Sequence, residues 1–229
     1  MRALPAIAAT QMIVFVTVAG SVRPGYDPAR NWVSQLSLGP GGGWATANMI
    51  CCGLLLMLGG RAGRRHPGPG GGAGPRLVAW CGFCLVVLAV LPTDPGIGYP
   101  PYVAPAHTTI GFAHQVVAVV LAVSGVAAAA VAGCDAGLAR AGLIVAAIMA
   151  VSFTAATVLV LLDDAGVLPG NPSGLLERVA LFLGLAWIGA LGLRTRRPSD
   201  PEAADSTDRC RSRATLAAGS ARSDPRDPR

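Results

Sequence analysis

The chain has 229 residues, 52% of them hydrophobic and only 13% charged, about half the charged share of an ordinary soluble domain. Its formal net charge is +6, and every basic residue except histidine is an arginine. These arginines stand between apolar runs rather than along one stripe, which excludes a nucleic-acid footprint and leaves an all-α integral membrane protein.

Arg2 precedes the first apolar run, about 4–22. This run resembles a signal peptide, but no convincing small-residue cleavage site follows it, so it reads as a retained helix. Further apolar runs cover about 44–60, 77–91, 107–132, 141–162 and 175–193. About 20 apolar residues cross a hydrocarbon core. The second and third runs therefore borrow flanking residues, while the fourth is long enough to tilt. The pattern predicts a six-transmembrane-helix bundle over residues 1–197. It also predicts a disordered polar tail over 198–229, which has too few apolar residues to bury a core. The loop 66–75 is rich in Gly and Pro and reads as unstructured.

Arginine placement sets the orientation. Arg2, Arg61, Arg64, Arg65, Arg76, Arg140, Arg194, Arg196 and Arg197 fall on one side, and Arg23, Arg30 and Arg178 on the other. The positive-inside rule then puts both termini in the cytoplasm of a multi-pass cell-membrane protein. Internal repeats are not evident, which weighs against transporters built from inverted repeats.

Cys51, Cys52, Cys81, Cys84, Cys134 and Cys210 are the six cysteines. Cys81 and Cys84 have the spacing of a metal or redox pair, with Cys51–Cys52 on the neighbouring helix. Inside apolar runs, however, cysteine mostly serves as a small apolar residue.

The chemistry-bearing residues gather at the outward ends of the helices. The first outer loop carries Arg23, Tyr26, Asp27, Arg30, Asn31 and Ser34. Its segment 31–37 places Trp32 and Leu36 four apart, which suits either a short helix on the membrane interface or a structured loop that caps the bundle. Asp94 ends the third run. His107 and His114 stand about 10 Å apart on the fourth, too far to share one metal ion directly. Asp163 and Asp164 end the fifth run as solvated charges, and Glu177 and Arg178 open the sixth. Arg178 sits at a helix N-terminus, where a cation is disfavoured. A carboxylate partner is therefore expected, from Asp94, Asp163 or Asp164.

Four segments in order resemble the bacterial membrane family called "domain of unknown function 998". They are Tyr26-Asp27-Pro28 with Val33-Ser34-Gln35-Leu36-Ser37-Leu38-Gly39, then Pro92-Thr93-Asp94-Pro95, then Gly111-Phe112-Ala113-His114, then Gly174-Leu175-Leu176-Glu177-Arg178. The resemblance covers roughly 5–195. It implies a six-helix membrane fold and assigns no activity. Asp94, His114 and Arg178 match its pattern. Members often carry an acidic residue or a polar amide at Gln35 and a Gln at Glu177, and His107 does not belong to the pattern.

Three functions compete on these residues. The first is binding of a lipid head group or small anion at the outer rim by Arg30, Arg178, Glu177 and Asp27, with membrane lipids as partners, no nucleic acid, and self-association left open. The second is a metal-dependent intramembrane hydrolase, with zinc on Asp94, His114 and a first-loop group such as Ser34 or Asp27. A catalytic zinc needs three protein ligands, and this incomplete set leans against an enzyme. The third is a small-solute or proton-coupled transporter with His114 as proton carrier and Asp94 as its partner.

Overall fold

The computed structural model describes residues 3–64 and 72–194. Arg2, Arg65, Arg196, Arg197, Cys210, the polar tail and most of loop 66–75 lie outside them. Six helices are long and apolar enough to cross a membrane: α1 Leu4–Val22, α2 Gly42–Arg64, α3 Ala73–Val90, α4 Thr109–Asp135, α5 Ala139–Asp164 and α6 Ser173–Leu193. The protein is a multi-pass membrane protein, and its described residues form no named strand.

Several helix ends differ from the apolar runs, for reasons of local chemistry. The second helix begins earlier and ends later than 44–60, because Gly42, Gly43 and the Gly59–Arg64 stretch continue it. Ala73, Gly74 and Pro75 form the first turn of α3 rather than loop. A proline is tolerated there because the first-turn N–H groups have no partner inside the helix. The fourth helix starts after His107, at a Thr108 cap whose Oγ1 accepts from the Gly111 N–H at 2.9 Å. His107 and His114 therefore do not share a helix.

Each helix packs on its sequence neighbours, and α1 closes against α6. The result is a ring with the first, third and fifth connections at one end, here called the distal end. The helices approach through small residues. Gly53 and Gly82 meet where α2 crosses α3. A Cβ on either would lie 2.5 Å from the carbonyl oxygen of the other, a separation real side chains do not tolerate. Small-residue contacts of this kind drive helix association in lipid, where water cannot. Gly82→Val is expected to force these helices apart and cost roughly 2 kcal/mol or more. Thermal denaturation of the detergent-purified variant checks it.

The turn between α4 and α5 is equally tight. Gly137 takes φ +74°, a left-handed conformation that glycine adopts without strain. This turn brings Gly133 against Gly142. One apolar core joins α1, α2, α3, α4 and α6, and a smaller one joins α4, α5 and α6. Trp187 ties the latter together by donating its Nε1–H to the Ala129 carbonyl at 3.0 Å.

Candidate functional site

The first distal loop folds back into the ring instead of lying on the interface. Residues Val33–Ser37 form a single 3-10 turn, with Val33, Gln35 and Leu36 buried. Of the two readings of this segment, the capping loop is the one observed, and it forms a plug. Physically, its apolar side chains find a protein interior, and its backbone groups find partners there. Gln35 Oε1 accepts from the Trp32 N–H at 2.9 Å, and Gln35 Nε2 donates to the Gly96 carbonyl at 2.6 Å. Asn31 Nδ2 donates to the Ile97 carbonyl at 2.9 Å. The first and second distal loops are sewn together by these bonds.

Two arginines hold the plug. Arg23 donates to the carbonyls of Leu36, Leu38 and Pro40 at 3.0, 3.3 and 2.5 Å. Arg178, only 7% exposed, donates through Nη1 to the carbonyls of Asn31 at 2.8 Å and Gly174 at 2.9 Å. Its Nη2 donates to the Tyr26 hydroxyl, and its guanidinium also faces the Tyr26 ring, 5.5 Å from the centroid. The carboxylate expected from Asp94, Asp163 or Asp164 is not its partner. Neutral oxygens satisfy the fork of the guanidinium because a carbonyl accepts as a carboxylate does.

Tyr26 in turn donates to the Trp32 carbonyl at 2.9 Å. Burial raises its phenol above the ordinary 10.0, against the opposing pull of Arg178. The hydroxyl therefore stays protonated as a donor. Ser173 Oγ donates to the Arg30 carbonyl at 3.2 Å, and Leu175 N–H to the Ala29 carbonyl at 2.9 Å. The start of α6 is stitched to the loop along its length.

The acidic candidates are placed differently. Asp27 is exposed and closes a turn by accepting the Ala29 N–H at 2.9 Å. Asp94 accepts from Thr108, at 2.7 Å from N–H and 2.8 Å from Oγ1. It therefore extends the cap of α4, where a negative charge complements the helix dipole. Asp164 lies 3.7 Å from His107 Nε2, both exposed. Arg30 is half-buried, with a buried Nε lacking a partner.

His114 is 3% exposed, and its Nδ1 lies 2.7 Å from the Leu91 carbonyl oxygen. A carbonyl only accepts, so Nδ1 carries the proton. In the neutral ring Nε2 is then the acceptor. Asp94 and His114 are thus both anchored to the segment between α3 and α4, through different partners. Among the described residues no three His, Cys, Asp or Glu side chains converge as a metal-holding group. Cys51, Cys52, Cys81 and Cys84 are free thiols, and Cys52 donates to the Ala8 carbonyl at 3.6 Å.

His114, Glu177, Ser34 and Trp32 share one feature: all line a cavity of about 150 Å³ inside the ring. Gln115 lines it as well. Below them the wall is apolar, with Leu85, Leu121, Val126, Phe153 and Leu185 among its residues. From His114 to Ala128 along α4 the cavity runs about 20 Å at the helical rise. Glu177 Oε2 accepts the Val33 N–H at 2.7 Å. The Trp32 indole N–H is buried without a partner. Trp32 and Gln115 were not singled out as site residues in the sequence. A polar Gln beside His114 inside an apolar run was the readable signal.

The four sequence segments that carried the family resemblance all meet at this distal end. A family described as "Protein of unknown function (DUF998)" matches residues 6–194. The chain belongs to the DUF998 family. The DUF998 match begins two residues into α1, takes in the other five helices whole and stops at residue 194. No curated protein and no solved structure matches the chain.

Proposed function

We propose that this DUF998 protein holds a lipid-like amphiphile inside its helix ring, tail in the apolar shaft and polar group beneath the plug. The observation that carries the reading is the cavity itself, an apolar shaft closed at one end by Trp32, Ser34, His114, Gln115 and Glu177. Binding sites for small molecules are mostly apolar with a few placed polar groups. About 150 Å³ drawn out over about 20 Å suits one hydrocarbon chain better than a two-chain lipid. The rim-clamp version built on Arg30, Arg178, Glu177 and Asp27 is less favoured, because Arg178, Asp27 and one Glu177 oxygen are spent on holding the loop, which leaves Arg30 with its unpartnered Nε on its own. Arginine placement supports a distal end that faces away from the cytoplasm, in the cell membrane.

Gly125 lines the shaft, and a Cβ there would meet only Met149 Cε, at an ordinary 3.5 Å. Gly125→Leu is therefore expected to fill the shaft without a backbone clash. Lipids extracted from the purified protein and identified by mass spectrometry should include a single-chain species in the wild type. That species should be depleted at least tenfold in Gly125→Leu, with melting temperature nearly unchanged. Equal lipid content in both proteins would sink the reading.

A further inference from the structure

The polar end of the cavity also specifies what kind of head group it takes. No arginine lines the cavity. The nearest cation by contact is Arg178, whose Nη1 and Nη2 are committed to Asn31, Gly174 and Tyr26. A phosphate or carboxylate placed there would sit beside the Glu177 carboxyl group and would find no free guanidinium N–H, because Nη1 and Nη2 of Arg178 are committed, and a buried anion without a bonded partner is costly. An ammonium head can donate to the second Glu177 oxygen, but it has no lone pair to accept the Trp32 indole N–H, which would stay unpaired.

What remains is one orphaned donor and two acceptors. The donor is the Trp32 indole N–H, in a residue 9% exposed and packed edge-on against Phe153 at 5.9 Å. A buried donor without a partner costs free energy that a ligand oxygen recovers. The acceptors are the second Glu177 oxygen and, in the neutral ring, His114 Nε2. A hydroxyl both accepts and donates, so it satisfies the indole and one acceptor at once. Gln115 and Ser34 supply either role.

We propose that the cavity selects a neutral hydroxyl-bearing single-chain amphiphile, a long-chain alcohol in chemical class, with Trp32 donating to the hydroxyl oxygen. This rests on the cavity-binding reading above. It is tested with tritiated 1-dodecanol on the full chain in detergent, taking Gly125→Leu as the measure of non-specific partition. Unlabelled dodecanoate, dodecyl phosphate and dodecane compete, at alkaline pH so that the acid is ionised. The expected result is specific 1-dodecanol binding that the two anions displace at least about tenfold less well than the alcohol, with Trp32→Phe weakening it about fivefold to tenfold, the worth of one hydrogen bond.

Anions that compete as well as the alcohol would overturn the head-group assignment while leaving cavity binding intact. Dodecane competing equally would do the same. Unchanged affinity in Trp32→Phe would remove Trp32 from the site and overturn the proposal. No 1-dodecanol binding above the Gly125→Leu background would overturn the head-group proposal, and the same result with equal extracted lipid in wild type and Gly125→Leu would overturn the cavity reading itself.

Discussion

Arg178→Ala is expected to cost about 3 kcal/mol or more, the largest loss from any single truncation at the distal end. The side chain bridges α6 to the first loop through the Asn31 carbonyl and the Tyr26 hydroxyl, and secures its own helix through the Gly174 carbonyl. Truncation leaves buried oxygens without donors. It also leaves a void over the Tyr26 ring, which stacks edge-on against Tyr99 at 5.2 Å. Arg178→Lys should recover little, because one ammonium cannot place donors on three divergent oxygens as a planar fork does. The check is thermal denaturation in detergent, read beside limited proteolysis at loop 23–41. A variant as stable as wild type, with the loop equally protected, would refute this account of Arg178. Arg23→Ala should be milder, since two of its three carbonyl partners, on Leu38 and Pro40, belong to residues that solvent reaches, and only Leu36 is fully buried.

The six spans were legible because each places long apolar runs between arginines and prolines, a pattern that length and hydropathy alone decide. Their ends were less so. Gly42 and Pro75 look like loop residues, yet backbone geometry in the first turn of a helix admits both. His107 was read onto α4, and Thr108 cuts it off by capping at that point. The partner of Arg178 was misread because a sequence displays carboxylates and hides carbonyls. Every residue has a carbonyl, and only folding decides which are left unpaired. The plug was one of two open readings for a related reason. Trp32 and Leu36 at helical spacing suit a membrane interface and a protein interior equally, and burial is a property of the whole ring. The cavity is harder still, being the space between Leu85, Leu121, Phe153 and Leu185, which no periodicity encodes.

Gly111→Ala is the second large expected effect, and it tests the Asp94 assignment directly. A Cβ on Gly111 would overlap the Asp94 carboxylate, entering the space that both of its oxygens occupy. Asp94 cannot yield without releasing Thr108, whose N–H and Oγ1 it accepts, and Thr108 cannot yield without uncapping α4. The predicted cost is about 2 to 4 kcal/mol from the overlap and the lost cap together. The sign of the coupling discriminates a structural Asp94 from a solvent-facing ligand. In an Asp94→Ala background the obstacle is gone, so adding Gly111→Ala should cost far less, leaving a coupling of about 1 kcal/mol or more in the double-mutant cycle. Additive losses would mean that Asp94 does not fill that space. Because His114 hangs from the Leu91 carbonyl at the start of the same segment, Gly111→Ala should also disturb the cavity end. Its 1-dodecanol affinity should fall with its stability, whereas Trp32→Phe should lower affinity alone.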